Sequence, residues 1–127
     1  MSYEGVIPVI KPAHFTSHDV VARLRKILQM KRIGHTGTLD PLVTGVLPIC
    51  LGKATRIVEF LQEMPKEYEA KLVLGYATDT EDSSGTIIDR QDTTHFVIDE
   101  QKLNQIFLDL TGPLEQVPPM YSAVKVN

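Results

Sequence analysis

One stretch of the chain leaves an ionisable side chain free for chemistry: Gly34-His35-Thr36-Gly37-Thr38-Leu39-Asp40-Pro41. A proline steers the residue before it away from helical torsions, so Asp40 is held on an extended segment instead of entering a helix. A carboxylate there, ionised at neutral pH as aspartates ordinarily are, can act as nucleophile or base. An Asp before a Pro is also a common turn residue. His35 can stack on a nucleobase or hydrogen-bond to it, or simply bond its own backbone. Tyr68 can present its ring to a base or pack in a core, and the same pattern makes Tyr76 and Tyr121 core residues. Lys11, ahead of Pro12, can contact phosphate or line a site, although an exposed lysine is the ordinary outcome.

Other chemistries lack their residues. There is no G-x-x-x-x-G-K-[ST] cradle and no G-x-G-x-x-G, so nothing supports nucleotide-fuelled chemistry. The absence of an H-x-x-x-H pair and of C-x-x-C leaves zinc unsupported, and Asp79, Glu81 and Asp82 read as a solvated acidic turn. Cys50, the single cysteine, lies in an apolar run and reads as a core residue. It excludes an internal disulfide and suits a reducing cytoplasm.

The elements that must position these residues follow from periodicity. Residues 5–10 read as a strand ending at Lys11-Pro12. Thr16 and Ser17 offer caps for a helix with Asp19 in its first turn; Val20, Val21, Leu24, Ile27 and Leu28 share one face, with Arg23, Arg25, Lys26 and Gln29 on the other. Residues 31–41 have no period and read as a loop, with Gly34 and Gly37 marking a sharp bend or a close approach. Residues 46–51 look like a buried strand interrupted by Pro48, and residues 53–62 a short helix with Ile57, Val58 and Leu61 on one face. The clearest alternation runs over residues 66–76, where Tyr68, Ala70, Leu72, Leu74 and Tyr76 share a side, predicting a strand. Residues 77–85 are turn chemistry and 86–89 a partner strand. Asp99 caps a helix carrying Leu103, Ile106, Phe107 and Leu110, which Thr111-Gly112-Pro113 ends, and residues 120–126 read as a last strand.

With 127 residues, 43% hydrophobic and 23% charged, the composition is that of one globular domain, and no apolar run approaches the length of a membrane span. The N-terminus does not read as a signal peptide. The net charge of −3 conceals an asymmetry: residues 1–60 hold 8 Lys and Arg against 4 Asp and Glu, the remainder 5 against 12. A polyanion-binding surface, if present, belongs to the first half, where Arg23, Arg25, Lys26, Lys31 and Arg32 cluster.

Four segments together resemble the TruB family of tRNA pseudouridine synthases: Lys11-Pro12 through Thr16-Ser17-His18-Asp19-Val20-Val21, GHTGTLDPLVTGVLPICLGKATR over 34–56, KEYEAKLVLGYATDTED over 66–82 and PPMYSAVKV over 118–126. They stand in family order and cover nearly the whole chain. At Ala13-His14-Phe15 the pattern departs from the family, which usually has a glycine between Lys-Pro and Thr-Ser. The resemblance implies an α+β fold, a mixed, largely antiparallel sheet with packed helices, forming the N-terminal half of a catalytic domain. It implies that Asp40 is the catalytic aspartate, that Tyr68 stacks on the target base, that His35 helps hold a flipped-out T-loop and that Lys11 supports the active-site region. Arg23, Arg25, Lys26, Lys31 and Arg32 would track the RNA backbone.

The implied activity is isomerisation of a T-loop uridine of tRNA, by a cytoplasmic monomer needing no cofactor, metal or membrane. The family continues with more of the catalytic sheet, an arginine that pairs with the aspartate, a leucine in the site and a C-terminal PUA domain. None of these is among the 127 residues, so the chain reads as part of a longer protein, weak or inactive by itself. A non-catalytic RNA-binding or RNA-folding module and an Asp-dependent nucleoside hydrolase are the rival readings.

Overall fold

The computed structural model describes residues 2–115 and 117, arranged as two compact units, residues 1–68 and 69–127. In the first unit β1 (Gly5–Lys11), β2 (Ile33–His35) and β3 (Gly45–Leu51) form an antiparallel sheet in the order β1-β3-β2. Ile7 and Val9 face inward from β1 while Val6 and Ile10 face solvent, the period-2 alternation of a sheet covered on that side. The cover is α1 (Ser17–Leu28), whose Val20 and Val21 bury against Ile33, Leu47, Ile49 and Leu51. Ile27, expected on this apolar face, is 66% exposed and sits beside Arg23 and Lys26 on an outer cleft. Behind the sheet, Thr55 and Val58 approach Gly34, and Cys50, its partner across the ladder, is fully buried. Burial raises the Cys50 thiol above its ordinary range, as expected of a core cysteine.

The start of α1 is a capping box. Asp19 N donates to Thr16 Oγ1 at 3.0 Å and Thr16 N donates to the Asp19 carboxylate at 2.9 Å. The Thr16 hydroxyl, then its backbone N–H, holds the Asp19 carboxyl below the usual range. A depressed folded-state value stabilises the fold above the unfolded value and is lost as pH falls through the folded one. Thr16→Ala, which removes the N-cap, should cost about 1 kcal/mol in a neutral urea melt. The gap from wild type should narrow below about pH 4, near the ordinary aspartate value.

Pro48 does not interrupt β3. Pro8 and Pro48 face each other across β1 and β3, and the Pro48 carbonyl points the other way, accepting from Thr36 N at 3.2 Å. N–H and C=O of one strand residue point to the same side. The missing proline N–H therefore falls where β2 would continue, and β2 stops at His35, opposite Ile49. The expected loop 31–41 accordingly contains a strand, and Gly34 lies inside it. A Cβ at Gly34 would stand 3.6 Å from Val58 Cγ2, an ordinary contact, so it marks no sharp bend. Gly52, at the end of β3, does require glycine: its φ is 58° and a Cβ would fall 2.7 Å from the Tyr3 carbonyl. Beyond it the expected helix is a 3₁₀ segment, Gly52–Ile57, followed by α2 (Val58–Gln62), which leaves Ile57 exposed.

In the second unit β4 (Tyr76–Thr78) pairs antiparallel with β5 (Ile87–Arg90), with a bulge where Ala77 faces Asp89 and Thr78 faces Ile87. The strand expected over residues 66–76 does not form: the described ladder reaches back only as far as Gln91 N to Gly75 O, and residues 66–75 lie outside any element. Alternation fixes faces, but a strand also needs a partner. Tyr76, expected in the core, is exposed. In the turn, Asp79 accepts from Thr86 N and Asp82 from Thr80 Oγ1 and Ser84 N, so both carboxylates close the loop. The Ser84 hydroxyl, then its N–H, holds Asp82 below the usual range. Helix α3 (Glu100–Asp109) is capped by Asp99, whose carboxylate accepts from Gln101 N at 2.9 Å. The expected strand over 120–126, and Tyr121, lie outside the described residues. No helix among the described residues is long and apolar enough to cross a membrane.

Candidate active site

Asp40 sits on the irregular arm between β2 and β3, and its backbone is fastened on both sides. Leu39 N donates to the hydroxyl of buried Ser17 at 3.0 Å. Val43 N donates to the Asp40 carbonyl at 3.0 Å. The Pro41 carbonyl accepts from His14 N at 2.7 Å and from Lys11 Nζ at 3.2 Å. The residue itself is exposed. An anchored main chain carrying an accessible carboxylate is what a nucleophile or base needs, because orientation is fixed before substrate arrives.

Lys11, ordinarily expected to be exposed and by resemblance a support of the active-site region, is enclosed. It is 0% exposed, and its ammonium donates to the carbonyls of Phe15 at 2.7 Å, Pro12 at 3.0 Å and Pro41 at 3.2 Å. Three donors meet three acceptors, so the side chain ties the Asp40 arm, through Pro41, to the loop after β1. Ser17, read from sequence as a cap, is the second missed anchor. Both were signalled by parity: Lys11 continues the inward Ile7, Val9 series of β1, and Ser17 precedes Val20 and Val21 by three and four residues on α1.

The departure from the family pattern at residues 13–15 falls in the loop joining them. His14 takes φ 64°, the left-handed conformation that favours glycine, and from there donates to Pro41. His14→Gly should raise stability by about 0.5–1 kcal/mol in a urea melt, since glycine adopts that torsion without a Cβ clash.

His35, half-buried at the end of β2, accepts from Gly37 N on Nδ1 at 3.4 Å, a bond that turns its ring toward the Asp40 arm's own backbone. Tyr68 is 64% exposed, so its ring is available for stacking and is not part of a core. Among the described residues no three His, Cys, Asp or Glu side chains group as a metal site. The five basic residues expected on RNA divide: Arg23 and Lys26 border one cleft, Arg25, Lys31 and Arg32 another.

A buttressed Asp on a strand-to-strand arm, in a chain of this topology, matches a known family. Residues 25–127 fit the model described as TruB family pseudouridylate synthase (N terminal domain). The chain belongs to that family. It is 57% identical over 124 residues to the tRNA pseudouridine synthase B of Bacillus cytotoxicus, covering 98% of this chain and 40% of that one. Similarity to the Streptococcus agalactiae protein of the same name is 56% over 123 residues, covering 97% and 42%. The chain thus spans about 40% of the length of the curated relatives it matches. Among solved structures, one described as a Cbf5-Nop10-Gar1 complex is 35% identical with a TM-score of 0.58, over 95% of this chain and 31% of that one. This likeness agrees with the α+β fold expected from sequence.

Proposed function

We propose that this chain supplies the catalytic-aspartate half of a cytoplasmic enzyme that converts a T-loop uridine of tRNA to pseudouridine. The observation that carries this reading is the exposed Asp40 on a main chain fixed by Ser17, His14 and Lys11. The reaction breaks the N1–C1′ bond, turns the uracil and forms C5–C1′; the C5 proton leaves and N1 gains one, so nothing is oxidised and no group is imported. Asp40 adds to C6, attacks C1′, or acts as base toward a glycal. A base inside a folded loop must be extruded first, at a cost of about a few kcal/mol, which stacking on Tyr68 offsets. His35 and the basic residues would hold the loop and the backbone.

Further catalytic sheet, an arginine partner for Asp40 and a PUA domain belong to this reading, as does monomeric action. These 127 residues alone would then turn over weakly or not at all. The test is incubation of the intact protein with a T-arm stem-loop: the RNA mass should stay constant while pseudouridine appears at one position on chemical mapping. Free uracil or a cut strand would indicate the hydrolase instead, and bound but unmodified RNA the binding module.

A further inference from the structure

The irregular arm between β2 and β3 carries three branched aliphatic side chains, and the fold treats them differently. Leu42 and Val43 are exposed, whereas Leu39 packs against the core that α1 covers. The room for it comes from β3. Gly45 begins the inward series that Leu47 and Ile49 continue, and it faces buried Lys11 across the ladder. This inward position holds no side chain, and a Cβ there would stand 3.6 Å from Leu39 Cδ1. The leucine of the arm therefore fills space that a side chain of the strand itself would reach. Its own N–H donates to the buried Ser17 hydroxyl at 3.0 Å, so Leu39 is held by main chain and side chain alike.

Asp40 follows directly, and it and Thr38 are exposed on either side of Leu39. Adjacent side chains of an extended backbone point to opposite faces, so a leucine drawn inward turns the next carboxylate outward. The peptide between the two residues is planar, and Pro41 restricts Asp40 from the other side. The hydrogen bonds at Leu39 N and at the Asp40 and Pro41 carbonyls fix where the main chain lies. The side chain of Leu39 fixes how it is turned.

We propose that Leu39 is a positioning residue: seated over Gly45, it sets the direction in which Asp40 leaves the arm. The role rests on the isomerase reading above. The test follows single-turnover pseudouridine formation on a T-arm stem-loop, RNA affinity and a urea melt, all on the intact protein. Leu39→Ala should slow turnover by about a hundredfold, the scale of a misplacement of about 1 Å, with RNA affinity unchanged. Leu39→Met, close in volume, should retain most of the rate. The deciding variant is Leu39→Ala/Gly45→Val, which refills the vacated space from β3 with a side chain suited to a strand. Its melt should return toward wild type while turnover stays low, because the filler no longer belongs to the arm. Recovery of both would reduce Leu39 to core packing and overturn the role, as would wild-type turnover by Leu39→Ala. Where refilling does not restore the melt, Val21→Ala decides, since it cuts the same core from α1. Assayed in conditions that keep both variants folded, near-wild-type turnover by Val21→Ala supports the role, and a loss equal to that of Leu39→Ala overturns it. Failure of wild type to form pseudouridine would overturn the isomerase reading and this role together, whereas the outcomes above overturn the role alone.

Discussion

Asp40→Asn should lower pseudouridine formation on a T-arm stem-loop by at least about a thousandfold, the scale of losing a nucleophile or an essential base. The amide keeps the shape of the side chain and removes the charge that all three routes require. Because Asp40 is exposed and the arm is held through backbone groups, stability should change by less than about 0.5 kcal/mol. RNA binding should persist. Chemical mapping of the product together with a melt separates lost chemistry from lost fold, and undiminished product would overturn the catalytic role of Asp40.

The second large effect is expected at a residue that touches no substrate. Lys11→Met keeps the length and apolar stem of the side chain but withdraws three hydrogen bonds from the carbonyls of Pro12, Phe15 and Pro41. The acceptors are only partly buried and Pro41 keeps His14 N, so the loss of the three bonds should cost about 2 kcal/mol or more. That is a large share of a domain's stability of about 5–15 kcal/mol. A urea melt without RNA should register the loss. Turnover should fall through kcat as the Asp40 arm loosens, while the salt dependence of RNA binding stays put. A phosphate-contacting lysine would show the reverse: an unchanged melt and a shallower salt slope. Lys11→Arg should rescue poorly, since a planar fork cannot converge three donors as an ammonium does.

Much of this was readable from residue order where one element settles its own geometry. The cap at Thr16 with Asp19 in the first turn, the inward Val20 and Val21, the cap at Asp99 and the irregular arm around Asp40 all rest on local rules, and the structure keeps them. The misreadings arise where a second element decides. The alternation from Tyr68 to Leu74 chooses two faces but cannot name the strand that would pair with it. Pro48 reads as a break because the facing Pro8 and the third strand are invisible along the chain. Lys11 was assigned by its charge, whereas its place in the β1 alternation put it inside, and the carbonyls that make burial tolerable come from residues up to 30 positions away.

The imino acid at position 48 also acts as a ruler. Were it able to donate toward Thr36, the neighbouring ribbon could zip up by another rung, and each added rung would draw slack out of the nine residues, 36–44, that carry Asp40 between two rails. A slip of one position would also invert which side chains look inward, turning Thr36 and its successors over. The reach of the carboxylate is therefore set by where a neighbouring strand is forbidden to grow.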